Sequence, residues 1–243
     1  MSKLSRLLLG KRTDEPAEEP FPHAFTAEDR QTWEEVKACT MTDKLRILSL
    51  MQAVRHVINH DIQGSLVECG VGKGGSMMAI TTVLLNMGCA ERELYLFDTF
   101  EGLRAPTDKD VDIKNSDAKA KFADREGADW CYAPLDDVRK NVDGIGYPAF
   151  RTHYIKGKAE DTLPGNDTGP IALLRLDTGF YDSTRAELEH LYPKLVSGGI
   201  LILDDYYTWH GCQQAVDEYL AAHKIPLFLS TVGGGGAVVA VKP

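Results

Sequence analysis

The chain has 243 residues, of which 43% are hydrophobic, and carries a formal net charge of -9. This length fits one large α/β domain or a domain with an appendage. The acidic balance excludes broad electrostatic attraction to nucleic acid, so no nucleic-acid partner is expected. The five cysteines include no C-x-x-C pair, and no secretory signal precedes them. They indicate reduced thiols in a cytoplasmic protein rather than a disulfide framework or a zinc site.

The N-terminal segment, residues 1–25, is expected to be a mobile arm ahead of a single domain at 26–243. Residues 11–24 are rich in Pro and Glu and have no apolar period. The run Leu7–Leu9 is too short to span a membrane. It fits either a small amphipathic arm that packs on a partner subunit or an unstructured tail.

Two helices are predicted next. The first begins at Thr26, with Asp29 three residues later as a variant of the capping box. The second begins near Thr42, because its apolar residues from Leu45 to Ile58 fall on one helical face.

From Ser65 onward, predicted strands and helices alternate. Strands are predicted at 66–69, 94–97, 154–155, 171–176 and 200–203, and helices at 76–85 and 135–142. This alternation indicates an α/β fold with a doubly wound, parallel, Rossmann-like sheet. The C-terminus differs: Pro226–Val232, four glycines and Ala237–Val241 predict a hairpin, so the last strand must run antiparallel. That ending is typical of class I methyltransferases and not of dinucleotide-binding dehydrogenases.

Two apolar runs end abruptly in carboxylates. Leu173–Leu176 is followed by Asp177, and Leu201–Leu203 is followed by Asp204 and Asp205. Such runs indicate buried parallel strands, whose carboxyl ends are where open α/β sheets bind ligands. Three oxygen-only side chains at one edge suit a hard cation such as Mg²⁺. The alternative is that Asp177 and Asp204 only cap the helices that follow.

A glycine-rich turn joins the first predicted strand to a helix. It contains Gly70, Gly72, Gly74 and Ser76, and Glu68 lies just before it. Glycines let the backbone approach a ligand closely, as for NAD, FAD or S-adenosylmethionine (SAM). The spacing is not G-x-G-x-x-G, and a carboxylate at Glu68 would repel a pyrophosphate but can face the ammonium of an amino-acid moiety. A tight helix–strand packing turn is the alternative.

Three further residues are predicted to bind a cofactor. Asp98 ends the second strand, where an acid can accept both hydrogen bonds of a ribose diol, and Thr99 follows it. Glu160 follows the third strand, where an adenine edge would lie, although a surface turn is an equally good interpretation. SAM and NAD both contain this ribose, so Asp98 does not separate them.

Several motifs together resemble the macrocin O-methyltransferase family, whose members methylate sugar hydroxyls of macrolide and aminocoumarin antibiotics. The resemblance covers roughly residues 40–220, in order and at matching spacing. The motifs are Val67–Val71, Phe97–Gly102, Ala172–Thr178, Tyr181–Thr184, Leu191–Pro193, Gly198–Tyr206 and Ala215–Tyr219. The resemblance implies a SAM- and Mg²⁺-dependent O-methyltransferase acting on a small-molecule hydroxyl. It also implies that Asp177, Asp204 and Asp205 hold the metal, with Asp177 at the catalytic centre.

The sequence departs from that family at the position of the general base. The family commonly has an acid two residues after the first metal Asp, and this chain has Gly179 there. Gly72 and Lys73 replace the usual Trp and Arg, and Gly233–Gly236 replaces a stretch that often contains Arg. Three options follow: the acceptor is acidic enough to need no base, His210 is the base, or the protein binds SAM and metal without methylating and serves a different reaction. For His210, an exposed histidine at a helix start is the alternative. An NAD-dependent oxidoreductase is the weakest alternative.

The long polar insertion at 99–134 is predicted to be a lid over the active site. It contains basic and aromatic residues, namely Lys114, Lys119, Lys121, Trp130 and Tyr132. A surface excursion or a dimer contact is the alternative. A homo-oligomer is expected by analogy.

Overall fold

The computed structural model describes residues 21–103, 105–112 and 131–243. The strands are β1 Ser65–Cys69, β2 Leu94–Asp98, β3 Thr152–Lys156, β4 Ile171–Leu176, β5 Leu195–Leu203, β6 Ser230–Val232 and β7 Ala237–Val241. The helices are α1 Ala27–Val36, α2 Lys44–Asn59, α3 Gly75–Asn86, α4 Leu135–Asp143, α5 Ala159–Thr162, α6 Tyr181–Leu191 and α7 His210–Ala222. Short 3-10 turns occur at Lys37–Cys39, Ala149–Arg151, Leu163–Gly165 and Tyr192–Lys194.

Within the described residues, one sheet has the strand order β3-β2-β1-β4-β5-β7-β6. The first five strands pair in parallel, and β7 pairs antiparallel with both β5 and β6. The predicted α/β sheet with an antiparallel C-terminal strand is therefore confirmed. The strand predicted at Pro226–Val232 is shorter than expected, since only Ser230–Val232 pairs with β7.

Alternate residues of the central strands pack into two hydrophobic cores on opposite faces of the sheet. Leu66 and Leu173 join one core, to which α1–α4 contribute residues such as Ile47, while Val67 and Leu174 join the other, with residues of α6 and α7. This period of two is what burial on both faces of a parallel sheet requires.

The helix starts agree with the sequence predictions. Thr26 and Asp29 form a capping box at α1. At α2 the Asp43 carboxylate accepts from the backbone N–H groups of Leu45 and Arg46. None of the described helices combines the length and the apolar content needed to cross a bilayer.

The N-terminal boundary differs from the predicted arm at 1–25. Phe25 is only 3% exposed within the core, and its ring lies 5.1 Å from that of Phe21. Packing of these apolar rings therefore begins before α1, while residues 1–20 lie outside the described residues.

Candidate active site

The carboxyl ends of the parallel strands surround a cavity of about 730 Å³. This volume is in the usual range for small-molecule sites. Its walls come from the turn after β1, the residues after β2 and β3, and the loops that follow β4 and β5. The topology thus brings most of the predicted site residues to one edge of the sheet, namely Gly70, Gly72, Ser76, Asp98, Thr99, Glu160, Asp177, Asp204 and Asp205.

Asp98 holds the glycine-rich turn in place. Its Oδ2 accepts from the backbone N–H groups of Val71 (2.6 Å) and Gly72 (3.2 Å), and its Oδ1 accepts from that of Phe100 (2.7 Å). Gly70 has a φ of +81°, and a Cβ there would lie 2.2 Å from the carbonyl oxygen of Asp177. Only glycine allows this close approach, so the backbone of the turn after β1 packs directly against the backbone of the loop after β4.

Gly74 has a packing role and is not among the described residues that line the cavity. A Cβ at this position would lie 2.8 Å from Cγ2 of Val142 in α4. This contact fits the packing alternative, because α3 and α4 meet there, and the role of Gly74 in cofactor binding stays a prediction.

Glu68 differs most from its predicted placement. It is fully buried under the turn and forms an ion pair with Arg175 of β4, instead of lining the cavity. Its second oxygen, Oε2, has no hydrogen-bond partner among the described residues. Burial raises the pKa of Glu68 to about 7, and the Arg175 charge opposes this rise.

Arg175 joins the acidic residues at the sheet edge. Its Nη2 lies 2.9 Å from Asp177 Oδ2 and 3.2 Å from Asp204 Oδ2. Arg46 of α2 adds a second cation, with its Nη1 3.1 Å from Asp204 Oδ2. A charged residue inside the apolar run of β4 was a visible signal for this network, whereas nothing in the local sequence pointed to Arg46.

The alternative in which Asp177 and Asp204 only cap helices is wrong. The N-cap residues of α6 and α7 are Phe180 and Trp209, and neither helix has a side-chain cap from its own N-cap residue. Both acids instead face the cavity and the guanidinium groups.

Burial and mutual repulsion disfavour ionisation of these acids. Burial, with the nearby Asp204 charge, raises the pKa of Asp205 to about 7. Burial likewise raises the pKa of Asp177 well above its usual value, although Arg175 opposes this. The two guanidinium groups therefore leave an excess of negative charge that a further cation would relieve.

Metal-ligand geometry is not formed in the described ranges. No three His, Cys, Asp or Glu side chains there converge as a ligand set. Arg175 contacts Oδ2 of both Asp177 and Asp204, and Arg46 contacts the same oxygen of Asp204. In chemical type the donor set still fits, because carboxylate oxygens are what hard divalent cations prefer.

Gly179 occupies the position of the usual base, and the space beside it is filled. A Cβ there would lie 2.8 Å from Trp209 Cδ1 and 2.9 Å from Asp205 Oδ2. Trp209 and Phe180 pack edge to face at 5.5 Å and both line the cavity. His210, the predicted base, is exposed at the first turn of α7 and is not among the described cavity residues, because Trp209 takes the inward position.

The described part of the predicted lid reaches the cavity. Leu103, Cys131 and Tyr132 line it, with Tyr132 48% exposed. Residues 104 and 113–130, including Lys114, Lys119, Lys121 and Trp130, lie outside the described residues.

Comparison with protein families matches residues 2–239 to macrocin O-methyltransferase (TylF). A 4'-O-methyltransferase of a rhamnosyl-tetracenomycin from Streptomyces olivaceus is 34% identical over 82% of this chain and 74% of its own length. Demethyldecarbamoylnovobiocin O-methyltransferase from Streptomyces niveus is 30% identical over 95% of this chain and 88% of its own.

Solved structures agree with this assignment. The O-methyltransferase NovP superposes with a TM-score of 0.74 at 29% identity, covering 84% of this chain and 82% of NovP. The calicheamicin methyltransferase CalS11, at 21% identity and a TM-score of 0.65, shares the fold over 91% of this chain and 95% of its own. The fold is thus that of class I SAM-dependent methyltransferases, which leaves the oxidoreductase alternative without support. These matches confirm the resemblance that the motifs indicated. This chain belongs to the macrocin O-methyltransferase family and is an enzyme of the O-methyltransferase class.

Proposed function

We propose that this enzyme transfers the methyl group of SAM to a hydroxyl of a sugar, or of another vicinal diol, on a natural-product-like small molecule, with Mg²⁺ at the acidic edge. The observation that carries the proposal is one cavity lined by both the glycine-rich turn with Asp98 and the acids Asp177, Asp204 and Asp205. The relatives' names describe methylation of a rhamnosyl group and of a novobiocin precursor.

The cofactor half of the cavity fits SAM. Gly70 and Gly72 expose backbone without side chains at the cavity wall. Asp98 lines the wall beside them, where its carboxylate would accept hydrogen bonds from the hydroxyls of a ribose. Thr99 and Glu160 extend the same wall. Glu68 is not among the described residues of this cavity, so its buried, unpaired Oε2 supports an acceptor role toward the cofactor's ammonium through a bridging water. When bound, SAM supplies an electrophilic methyl group.

The acidic half fits a divalent cation. Asp177, Asp204 and Asp205 would hold it, and the contacts of Arg175 and Arg46 with Oδ2 of Asp177 and Asp204 orient these acids. A bound Mg²⁺ lowers the pKa of a coordinated hydroxyl and orients neighbouring oxygens. Burial and the charges of neighbouring acids raise the pKa values of Asp177 and Asp205, and a bound cation would relieve that repulsion.

The remaining cavity residues orient the acceptor and exclude water. Phe180 and Trp209 form an aromatic wall beside Asp205. Aromatic faces bury a large area and restrict how an acceptor can lie. The wall therefore directs a bound hydroxyl toward the acids rather than toward solvent.

A second candidate function rests on Gly179. Without the family's usual acid at this position, the protein could bind SAM and metal and catalyse a different reaction or none. The filled space beside Gly179 favours this alternative over simple replacement of the base at the same place. A homo-oligomeric state and a cytoplasmic location stay predictions.

Mass spectrometry of the purified protein with SAM, Mg²⁺ and a panel of deoxysugar diols tests the proposal. We expect S-adenosylhomocysteine together with a methylated diol. Excess chelator and Asp205→Asn should abolish both, whereas Asp167→Asn, at a carboxylate that is 86% exposed, should change neither. Full turnover in chelator would overturn the metal assignment. Calorimetric SAM binding with no S-adenosylhomocysteine on the whole panel would favour the second candidate.

A further inference from the structure

The two helices that follow the acid-bearing strands begin in the same way. Neither Phe180 at α6 nor Trp209 at α7 caps its helix with a side chain. The first N–H groups of a helix need acceptors from elsewhere. In this protein a segment of the insertion, residues 105–112, supplies one such acceptor to each helix, and we name this segment the strap.

Asp110 of the strap caps α6. Its Oδ1 accepts from the backbone N–H of Tyr181 at 2.9 Å. Its Oδ2 accepts from the backbone N–H (2.7 Å) and the hydroxyl (2.8 Å) of Thr107. The residue is only 1% exposed, so both carboxylate oxygens make these hydrogen bonds in a buried position. A carboxylate at a helix N-terminus is also favoured by the helix dipole.

The same strap holds the start of α7. The backbone N–H of His210 donates to the carbonyl oxygen of Val111 at 2.9 Å, and Asp112 forms an antiparallel bridge with Trp209. Gly211 is the point of closest approach, where a Cβ would lie 2.5 Å from Asp110 Oδ1 and 3.0 Å from the Tyr181 nitrogen. One carboxylate thus lies between the first turns of both helices.

We infer that Asp110 is a positioning residue that fixes the separation of the two acid-bearing loops. Asp177 lies four residues before Tyr181, the first residue of the helix that Asp110 caps, and Asp205 lies four residues before Trp209, whose backbone pairs with the strap. Asp110 itself is not among the described residues of the cavity, so it acts through these loops. The inference rests on the proposed metal site.

A purely structural role and a positioning role predict different measurements. If the strap only adds stability, its loss lowers the melting temperature and leaves ligand affinities of the folded protein unchanged. If it sets the spacing of Asp177 and Asp205, its loss weakens Mg²⁺ binding and spares SAM binding, because the turn after β1 does not contact the strap in the described interactions. A comparison of the Mg²⁺ and SAM affinities therefore distinguishes the structural role from the positioning role.

The test measures Mg²⁺ and SAM dissociation constants of the whole protein by calorimetry, each ligand alone. Asp110→Ala removes the cap, and Gly211→Ala pushes the strap from α7 without altering any acid. We expect both to weaken Mg²⁺ binding about tenfold or more, as for other residues that orient metal ligands, with SAM binding within about twofold. Asp110→Asn keeps an acceptor for the Tyr181 N–H and should recover most of the affinity.

Gly165→Ala is the matched control for Gly211→Ala, because no atom lies within 4 Å of a Cβ there. It should bind both ligands as the wild type does. If Asp110→Ala fails to fold, Gly211→Ala and Asp110→Asn carry the comparison. Unchanged Mg²⁺ affinity in the folded variants, or an equal loss of Mg²⁺ and SAM affinity, overturns the inference. A wild-type protein that binds no Mg²⁺ overturns the metal proposal as well, so the two failures are distinguishable.

Discussion

Gly179 and Trp209 lie so close that a Cβ atom on Gly179 would be 2.8 Å from Cδ1 of the indole. Gly179 also has a φ of +72°, a conformation that residues with a side chain rarely adopt. The indole and the left-handed backbone together exclude an acid from the place where the family usually has its base. Restoring the acid at this site would therefore disturb the wall of the cavity rather than rebuild the base.

Gly179→Ala tests how tightly this wall is packed. A left-handed conformation alone should cost about 1 kcal/mol of unfolding free energy, and contact with Trp209 should add about 1–3 kcal/mol. Gly88→Ala is the matched control, since Gly88 has a φ of +70° but no atom within 4 Å of a Cβ. Urea denaturation of the ligand-free proteins gives both values. Equal losses of unfolding free energy in the two variants would show that the Trp209 side chain moves aside without measurable cost.

Much of the fold follows from the sequence because burial on both faces leaves a strong pattern. Mainly apolar runs of two to six residues separated by helical periods predicted the parallel strands, and the glycines before Ala237 predicted the antiparallel end. The meeting of Asp177 with Asp204 also followed, since the ends of adjacent parallel strands share an edge. The observed pairing of Leu176 with Leu203 places them there.

Side-chain partners within the site were harder to predict because they depend on contacts between distant segments. Glu68 pairs with Arg175, which is 107 residues away, so local sequence indicated a ligand for the cofactor instead. His210 was expected to face the cavity, but the strap pairs with the Trp209 backbone and the indole turns inward. A periodic pattern reports which face is buried, not which neighbour a polar group finds there.

Glu68 should tolerate loss of its charge far better than loss of its side chain. Burial raises the pKa of Glu68 to about 7, so the protonated form is already well populated at neutral pH. Glu68→Gln resembles that form and should cost about 1 kcal/mol of stability. Glu68→Ala leaves Arg175 without this buried partner and should cost about 3–5 kcal/mol. Chemical denaturation at pH 7 compares them, and equal costs would contradict a structural role for the hydrogen bond from Arg175 to this side chain, which glutamine can still accept.

Gly236→Ala should displace Arg46 from the acidic edge. A Cβ at Gly236 would lie 2.4 Å from Arg46 Nη2 and 2.8 Å from Thr208 Oγ1, so the guanidinium must move. We expect the acceptor KM to rise about tenfold, because Arg46 holds Asp204 in place. Gly234→Ala in the same turn is the control, with no atom within 4 Å. Steady-state kinetics with each variant decide the matter; equal KM values for both would show that Arg46 does not orient Asp204.

Stabilisation by Mg²⁺ should increase with pH. Burial and the Asp204 charge raise the pKa of Asp205 from 3.8 to about 7. In the metal-free protein the folded state therefore retains a proton that the unfolded state has lost, and this group's contribution to stability falls as pH rises between these values. Metal binding needs the ionised carboxylate, so it releases that proton and is favoured above pH 7.

The measurement is the rise in melting temperature caused by Mg²⁺ at two pH values on either side of 7, with NaCl at matched ionic strength as the control. We expect a larger rise at the higher pH, and a smaller difference between the two pH values in Asp205→Asn, because only the raised pKa of Asp177 then remains among these two acids. An equal rise at both pH values in the wild type would mean that Asp205 is ionised without the metal. In that case Arg46 and Arg175, the groups that oppose the rise in its pKa, already balance the charge of the acidic edge.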